Sequence, residues 1–116
     1  MTRPIIKKNR TLAFEKQSGL CYYCGYPMLR TPSSSKKRSP FLCTAEHLQA
    51  MSEGGSNLVS NIVAACWFCN SRRHRTKKVR LPAEYKAYVQ LKIKCSRWHQ
   101  KKLPVSLSLG IRPTPP

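Results

Sequence analysis

Apolar residues fall in short blocks separated by turn-formers and basic runs, and each block predicts an element. Leu12, Ala13 and Phe14 beside Glu15 and Lys16 suit one or two helical turns over 10–18, with Gly19 as the C-terminal cap. Residues 41–45 read as a short strand ending in Glu46-His47. Gly54-Gly55 is a turn, and 57–65 contains a second strand whose apolar content is Leu58, Val59, Ile62 and Val63. After Cys66-Trp67-Phe68-Cys69-Asn70 the run SRRHRTKKVR has neither glycine nor proline, so a helix can continue to about Val79. Pro82 fits the first turn of a last helix, over 82–102, in which Tyr85, Val89 and Ile93 recur at four-residue steps. Three stretches lack such a pattern: a basic arm at 1–9 containing Pro4, a Pro/Ser/Lys loop at 30–40, and a proline-rich tail at 103–116. The order strand, loop, strand, helix with flanking helices predicts a small α+β domain over 10–81.

Charge adds a partner to this picture. The 116 residues carry 22 Lys+Arg against 4 Asp+Glu, a formal charge of +18. A compact chain tolerates such self-repulsion best against a polyanion, and the basic residues run along the whole length, so nucleic acid is the expected partner. No apolar run reaches the roughly 18 residues of a membrane span, and the first ten residues lack the apolar core of a signal peptide. The expectation is a cytoplasmic, intracellular protein with no membrane partner, of bacterial or phage context.

The cysteines then supply a staple for a core of modest size. Cys21/Cys24 and Cys66/Cys69 form two Cys-x-x-Cys pairs. Four thiolates in two tight loops are what a closed tetrahedral zinc site requires, and in a reducing compartment such pairs bind metal more often than they oxidise. The 41 residues between Cys24 and Cys66 exceed the usual ribbon spacing, so a further unit is inserted between the loops, and Glu46-His47 lies in it. Cys43 and Cys95 have no partner at ligand spacing and read as core residues. His99, without a companion, reads as a surface or packed residue.

The series CYYCG, AEH, GG, NIV, CWFCN and a basic helix resembles the HNH endonucleases, in the branch whose ββα-metal motif is braced by a four-cysteine zinc. The resemblance covers about residues 12–78. It implies a ββα-metal nuclease domain in which His47 is the general base, Glu46 an acidic metal ligand, Asn61 the Asn that orients the histidine, and Asn70 the last motif position and a second ligand. The final His of the family name is replaced by Asn70, an HNN version. Arg73 stands where many members carry Lys and is expected on a phosphate.

The chemistry agrees with the resemblance. Phosphodiester hydrolysis needs a deprotonated water and a charge clamp on the phosphate, and an imidazole with a reference pKa of about 6.5 can take the proton near neutrality. Glu46 and Asn70 offer hard oxygens suited to Mg²⁺ or Mn²⁺. His74, four residues after Asn70, shares its helical face and can join the metal or the phosphate; as a ligand it would make Ni²⁺, Co²⁺ or Zn²⁺ competitive. Asn57 is an alternative orienting residue, with Asn61 preferred and Asn57 read as a turn cap. Trp67 and Phe68 read as core packing. Arg72, Arg73, Arg75, Lys77 and Lys78 are the candidate phosphate contacts on double-stranded DNA. The resulting expectation is a metal-dependent DNA endonuclease; a non-catalytic zinc-dependent nucleic-acid-binding module would share the charge and cysteines but leave Glu46-His47 unexplained.

Overall fold

A computed structural model describes residues 2–31 and 39–99. The tail at 103–116 and most of the 30–40 loop lie outside the described residues. The elements are α1 (Thr2–Lys16), β1 (Cys43–His47), single 3₁₀ turns at Met51–Glu53 and Val59–Asn61, β2 (Ile62–Cys66), α2 (Trp67–Arg73) and α3 (Pro82–Lys94). Among the described residues this is an α+β fold with a two-stranded antiparallel sheet and three helices. Among the described residues no helix is long and apolar enough to cross a membrane.

The expected basic arm at 1–9 is instead the first half of α1. Nothing between residues 5 and 18 breaks a helix, and Pro4 falls in the first turn, where its missing N–H would have had no intrahelical acceptor. The arm is also tied down, since Asn9 is buried and its Nδ2 donates to the Asn57 carbonyl at 2.6 Å. The helix ends as its sequence requires: Gly19 takes φ +75° and its N–H reaches the Phe14 carbonyl at 2.8 Å.

β1 and β2 pair in a register that sets Cys43 against Cys66, Glu46 against Val63 and His47 against Ile62. The exposed edge of β2 is covered by a side chain acting as backbone. The Gln17 amide donates to the Ala64 carbonyl at 2.8 Å and accepts from the Ala64 N–H at 2.9 Å, while the Tyr22 N–H also reaches that carbonyl. The second strand is shorter than expected. Leu58 and Val59 precede it in the loop and the 3₁₀ turn, 66% and 52% exposed, because the alternation that buries one face starts only at Ile62.

α2 begins where the Trp67 and Phe68 N–H groups find the carbonyls of Leu42 and Pro40 at 2.8 and 3.0 Å, which satisfies donors that a helix start leaves open. It stops at Arg73 and does not continue to Val79. The Arg73 side chain folds inward and its Nε donates to the Arg80 carbonyl at 3.1 Å, so the chain doubles back, and a further helical run of like charges would have no acid to offset it. α3 follows with Pro82 in its first turn and Glu84 accepting from the Leu81 N–H. Tyr85 and Val89 are buried, and Ile93 packs against the core. Cys43 is a core residue as expected, and burial pushes its thiol up to about 11. Cys95 is not; it caps α3 at the surface.

Candidate functional site

Two centres lie within the ββα unit and its knuckle. In the first, Cys21, Cys24, Cys66 and Cys69 are all buried and bring their sulfurs within 4.8 Å of one another. A tetrahedral zinc with Zn–S near 2.3 Å implies sulfurs about 3.8 Å apart. Cys24 and Cys66 stand at 3.9 Å, far beyond a covalent S–S bond, and each of the four is a free thiol. Backbone N–H groups already point at the sulfurs: Tyr23 and Cys66 toward Cys21 Sγ, and Cys69 toward Cys66 Sγ, at 3.3–3.4 Å. Burial pushes the Cys24 and Cys69 thiols up. Cys21 is also pushed up by burial, but hydrogen bonds from Cys24, Cys66 and Cys69 outweigh that and hold it well below the usual thiol range. Four crowded thiols sharing charge in this way suit a soft divalent cation, so the donor set fits zinc. Among the described residues this is the one cluster of three or more Cys, His, Asp or Glu side chains with such spacing.

The cluster is held from outside the two knuckles. From α3, Tyr85 Oη donates to the Cys69 carbonyl at 2.6 Å and Gln90 Nε2 to the Tyr23 carbonyl at 2.8 Å, one contact to each knuckle. Beyond α3, Trp98 Nε1 donates to Cys69 Sγ at 3.3 Å. His99 is not at the surface: it is buried between Phe41 and Phe68, with Nε2 at 3.5 Å from Cys66 Sγ. No ligand spacing links residues 98 and 99 to the cysteines, so only the fold brings them there.

The second centre is built on the end of β1. Successive strand residues face opposite sides, so Thr44 and Glu46 look toward α2 while His47, at the strand end, looks toward the loop. Glu46 is 3% exposed, and three side chains reach it. Tyr23 Oη and Arg73 Nη1 both donate to Oε2, at 3.1 and 3.0 Å, and His74 Nε2 lies 3.1 Å from Oε1. Burial and the Glu46 charge push the Tyr23 phenol far above its ordinary range, so it stays a donor. Asn70 lies on the same side, its Nδ2 donating to Thr44 Oγ1 at 3.0 Å and to the Ala45 carbonyl at 3.3 Å, which leaves its amide oxygen directed elsewhere.

Several sequence expectations change here. Arg73 is not placed for a DNA phosphate: it is buried and committed to Glu46, because a carboxylate inside a protein needs a charged partner. His74 is not within a continuing helix but at the C-cap of α2, and it still reaches Glu46. Asn61 does not touch the His47 ring. The ring contact is Asn57, whose Oδ1 lies 2.8 Å from Nε2. Asn61 instead staples the loop between the strands, accepting from the Gln49 N–H at 2.9 Å and donating to the Gln49 and Ser56 carbonyls at 3.0 and 2.8 Å. Both asparagines lie between the glycines and the cysteines, and nothing short of the loop's path distinguishes them. Arg72 stacks over Phe68 at 4.1 Å, and Arg75, Lys77 and Lys78 are exposed on the connection between α2 and α3.

Residues 21–76 match the family model described as HNH endonuclease. No curated protein and no solved structure matches the chain. The matched span runs from the first cysteine knuckle through β1, β2 and α2 and takes in the cysteine cluster, Glu46, His47, Asn70 and His74, and over that span the chain is similar to the HNH endonuclease family.

Proposed function

We propose that the chain is a metal-dependent endonuclease that hydrolyses phosphodiester bonds of double-stranded DNA. The observation that carries this reading is the buried carboxylate of Glu46, held through one oxygen by Arg73 and Tyr23 and meeting His74 with the other, next in sequence to His47. A module that only bound nucleic acid would have no use for a buried acid–imidazole pair beside a second histidine.

In this reading Glu46 Oε1, His74 Nε2 and the Asn70 amide oxygen would hold one divalent ion, which when bound supplies charge stabilisation to the phosphate and its leaving oxygen. The mixed oxygen and nitrogen donors suit Mn²⁺, and admit Ni²⁺ or Co²⁺ beside Mg²⁺. Arg73 and Tyr23 fix the carboxylate so that only Oε1 is presented. His47 is the base. With the Asn57 amide oxygen facing Nε2, that nitrogen carries the proton and Nδ1 keeps the lone pair that accepts a proton from water. The thiolate cluster would hold zinc for structure alone, since four cysteines fill a tetrahedral shell and leave no place for water. Arg72, Arg75, Lys77 and Lys78 supply phosphate contacts along α2 and the connection after it.

Cleavage of supercoiled plasmid with Mg²⁺, Mn²⁺, Ni²⁺ or Co²⁺ added singly tests the reading. The parent should cut with at least one ion, and His47→Ala should lose about 10²- to 10⁴-fold in single-turnover rate while keeping its affinity for DNA and its zinc. A His47→Ala protein as fast as the parent would move the base elsewhere. A parent that binds DNA but never cuts would leave a binding module.

A further inference from the structure

Helix α2 presents two chemistries on two faces. Asn70 and Arg73 face β1, whereas Phe68 and Arg72, one turn apart, lie on another side. There they line a cavity of about 330 Å³ together with Tyr88 and Lys92 of α3 and with Arg97 and Trp98 beyond it. Tyr88, Lys92, Arg97 and Trp98 all lie outside the span that matches the nuclease family.

Three cations converge on this cavity from three parts of the chain, and no carboxylate lines it. Among the described residues the ion pairs are Glu15–Arg30, Glu46–Arg73 and Glu46–His74, so Arg72, Lys92 and Arg97 are not neutralised by an acid. In a chain of charge +18 such convergence raises the energy of the folded state unless an anion joins it. Two of the cations rest against aromatic rings. The Arg72 guanidinium lies 4.1 Å from the Phe68 ring centre and the Lys92 ammonium 5.5 Å from that of Tyr88. A guanidinium stacked on a ring has given up much of its rotamer freedom, while its N–H edge remains free to grip a phosphate bidentately.

The rest of the wall is aromatic. Trp98 is half-buried and stands at 84° to Phe68 and 87° to Tyr88, so the cavity is a corner of ring surface rather than a flat apolar face. Its volume lies at the lower end of the roughly 300–1,000 Å³ typical of small-ligand sites, which suits one nucleotide and not a base pair. A paired base has both faces stacked within its duplex; an unpaired one can turn into an aromatic corner.

We propose that this cavity is a second nucleic-acid site, which takes one unpaired nucleotide from a single-stranded flank of the substrate. Arg72, Lys92 and Arg97 hold its phosphate, and Trp98 contacts its base, while the Tyr88 ring, stacked by Arg80 at 4.1 Å, backs the wall. The inference rests on nucleic acid being the partner of the domain. It adds to that reading a preference for duplexes with an unpaired end, gap or flap.

The test is fluorescence anisotropy with the full chain and no added divalent ion, on three ligands: a blunt duplex, the same duplex with a short oligothymidine flank, and one with an abasic flank of equal charge. The parent should bind the oligothymidine flank roughly tenfold more tightly than the blunt end, the scale of one base stacked on an aromatic ring, and the abasic flank should recover only part of that gain. Lys92→Gln with Arg97→Gln should abolish the gain without lowering the melting temperature. Lys16→Gln with Lys94→Gln removes the same charge from exposed positions outside the cavity and should weaken all three ligands alike while preserving the gain. If the flank gives no advantage, or both double variants lose it equally, the cavity is not a nucleotide site. If the blunt duplex itself is not bound, the nuclease reading falls as well.

Discussion

Glu46 shows how one residue's surroundings decide its use. It is one of four acids in a chain of charge +18, and it is the one the fold buries. Removing its partner should therefore be costly. Arg73→Met leaves a buried carboxylate without a cation and is expected to lose about 3–5 kcal/mol of stability in urea unfolding at neutral pH. Adding Glu46→Gln to Arg73→Met should restore much of that loss, because the double variant no longer buries an unpaired charge. Tyr23→Phe, which deletes one neutral donor, should cost only about 1 kcal/mol by the same measurement. Equal losses for Arg73→Met with and without Glu46→Gln would show that Arg73 acts through packing and not through this pair.

At the scale of elements, the loop between β1 and β2 carries His47 at one end and Asn57 near the other, and its path depends on backbone passing very close to backbone. A Cβ on Gly55 would sit 1.9 Å from the Gln49 carbonyl oxygen and 2.8 Å from that of Ala50, contacts that no rotamer can relieve. Gly54, at φ +89°, has nothing nearer than 3.9 Å, so Ala there meets only the left-handed backbone penalty of about 1–2 kcal/mol. Gly55→Ala should thus lower the thermal midpoint more than Gly54→Ala and reduce cleavage further, since it opens the turn that Asn61 staples. The order of the two midpoints, by calorimetry, checks this. α1 belongs to the same assembly: Asn9 reaches the backbone of Asn57, and Asn57 reaches His47, so a helix outside the family match supports the residue proposed as the base.

At the scale of the whole molecule, the cysteine cluster joins the parts. The first knuckle follows α1, the second opens α2, and both are gripped by Tyr85 and Gln90 of α3. Zinc in such sites contributes about 10–16 kcal/mol of apparent binding free energy. That is comparable to the roughly 5–15 kcal/mol by which whole domains are stable. Elemental analysis of purified protein should find about one zinc per chain, and Cys66→Ala should lose both the zinc and the cooperative unfolding transition. A zinc-free protein that remained fully folded would overturn this account.

Local chemistry made part of this molecule legible in the chain. Spacing marked the four thiols as one set, alternation placed β1 and the core of β2, Gly19, Gly54 and Pro82 marked ends and turns, and the order of motifs carried the family. These signals act over a few residues, through backbone angles and through side chains that share a face. The second asparagine, the burial of Arg73, the ordering of residues 2–9 as helix and the packing of Trp98 and His99 on the thiols belong to another class. Each depends on groups far apart in sequence meeting at hydrogen-bonding distance: Asn57 with Asn9 and His47, Arg73 with Glu46, His99 with Cys66. Propensity and spacing describe a residue's neighbours in the chain, whereas which polar group is buried, and against what, is settled only when desolvation forces each to find a partner.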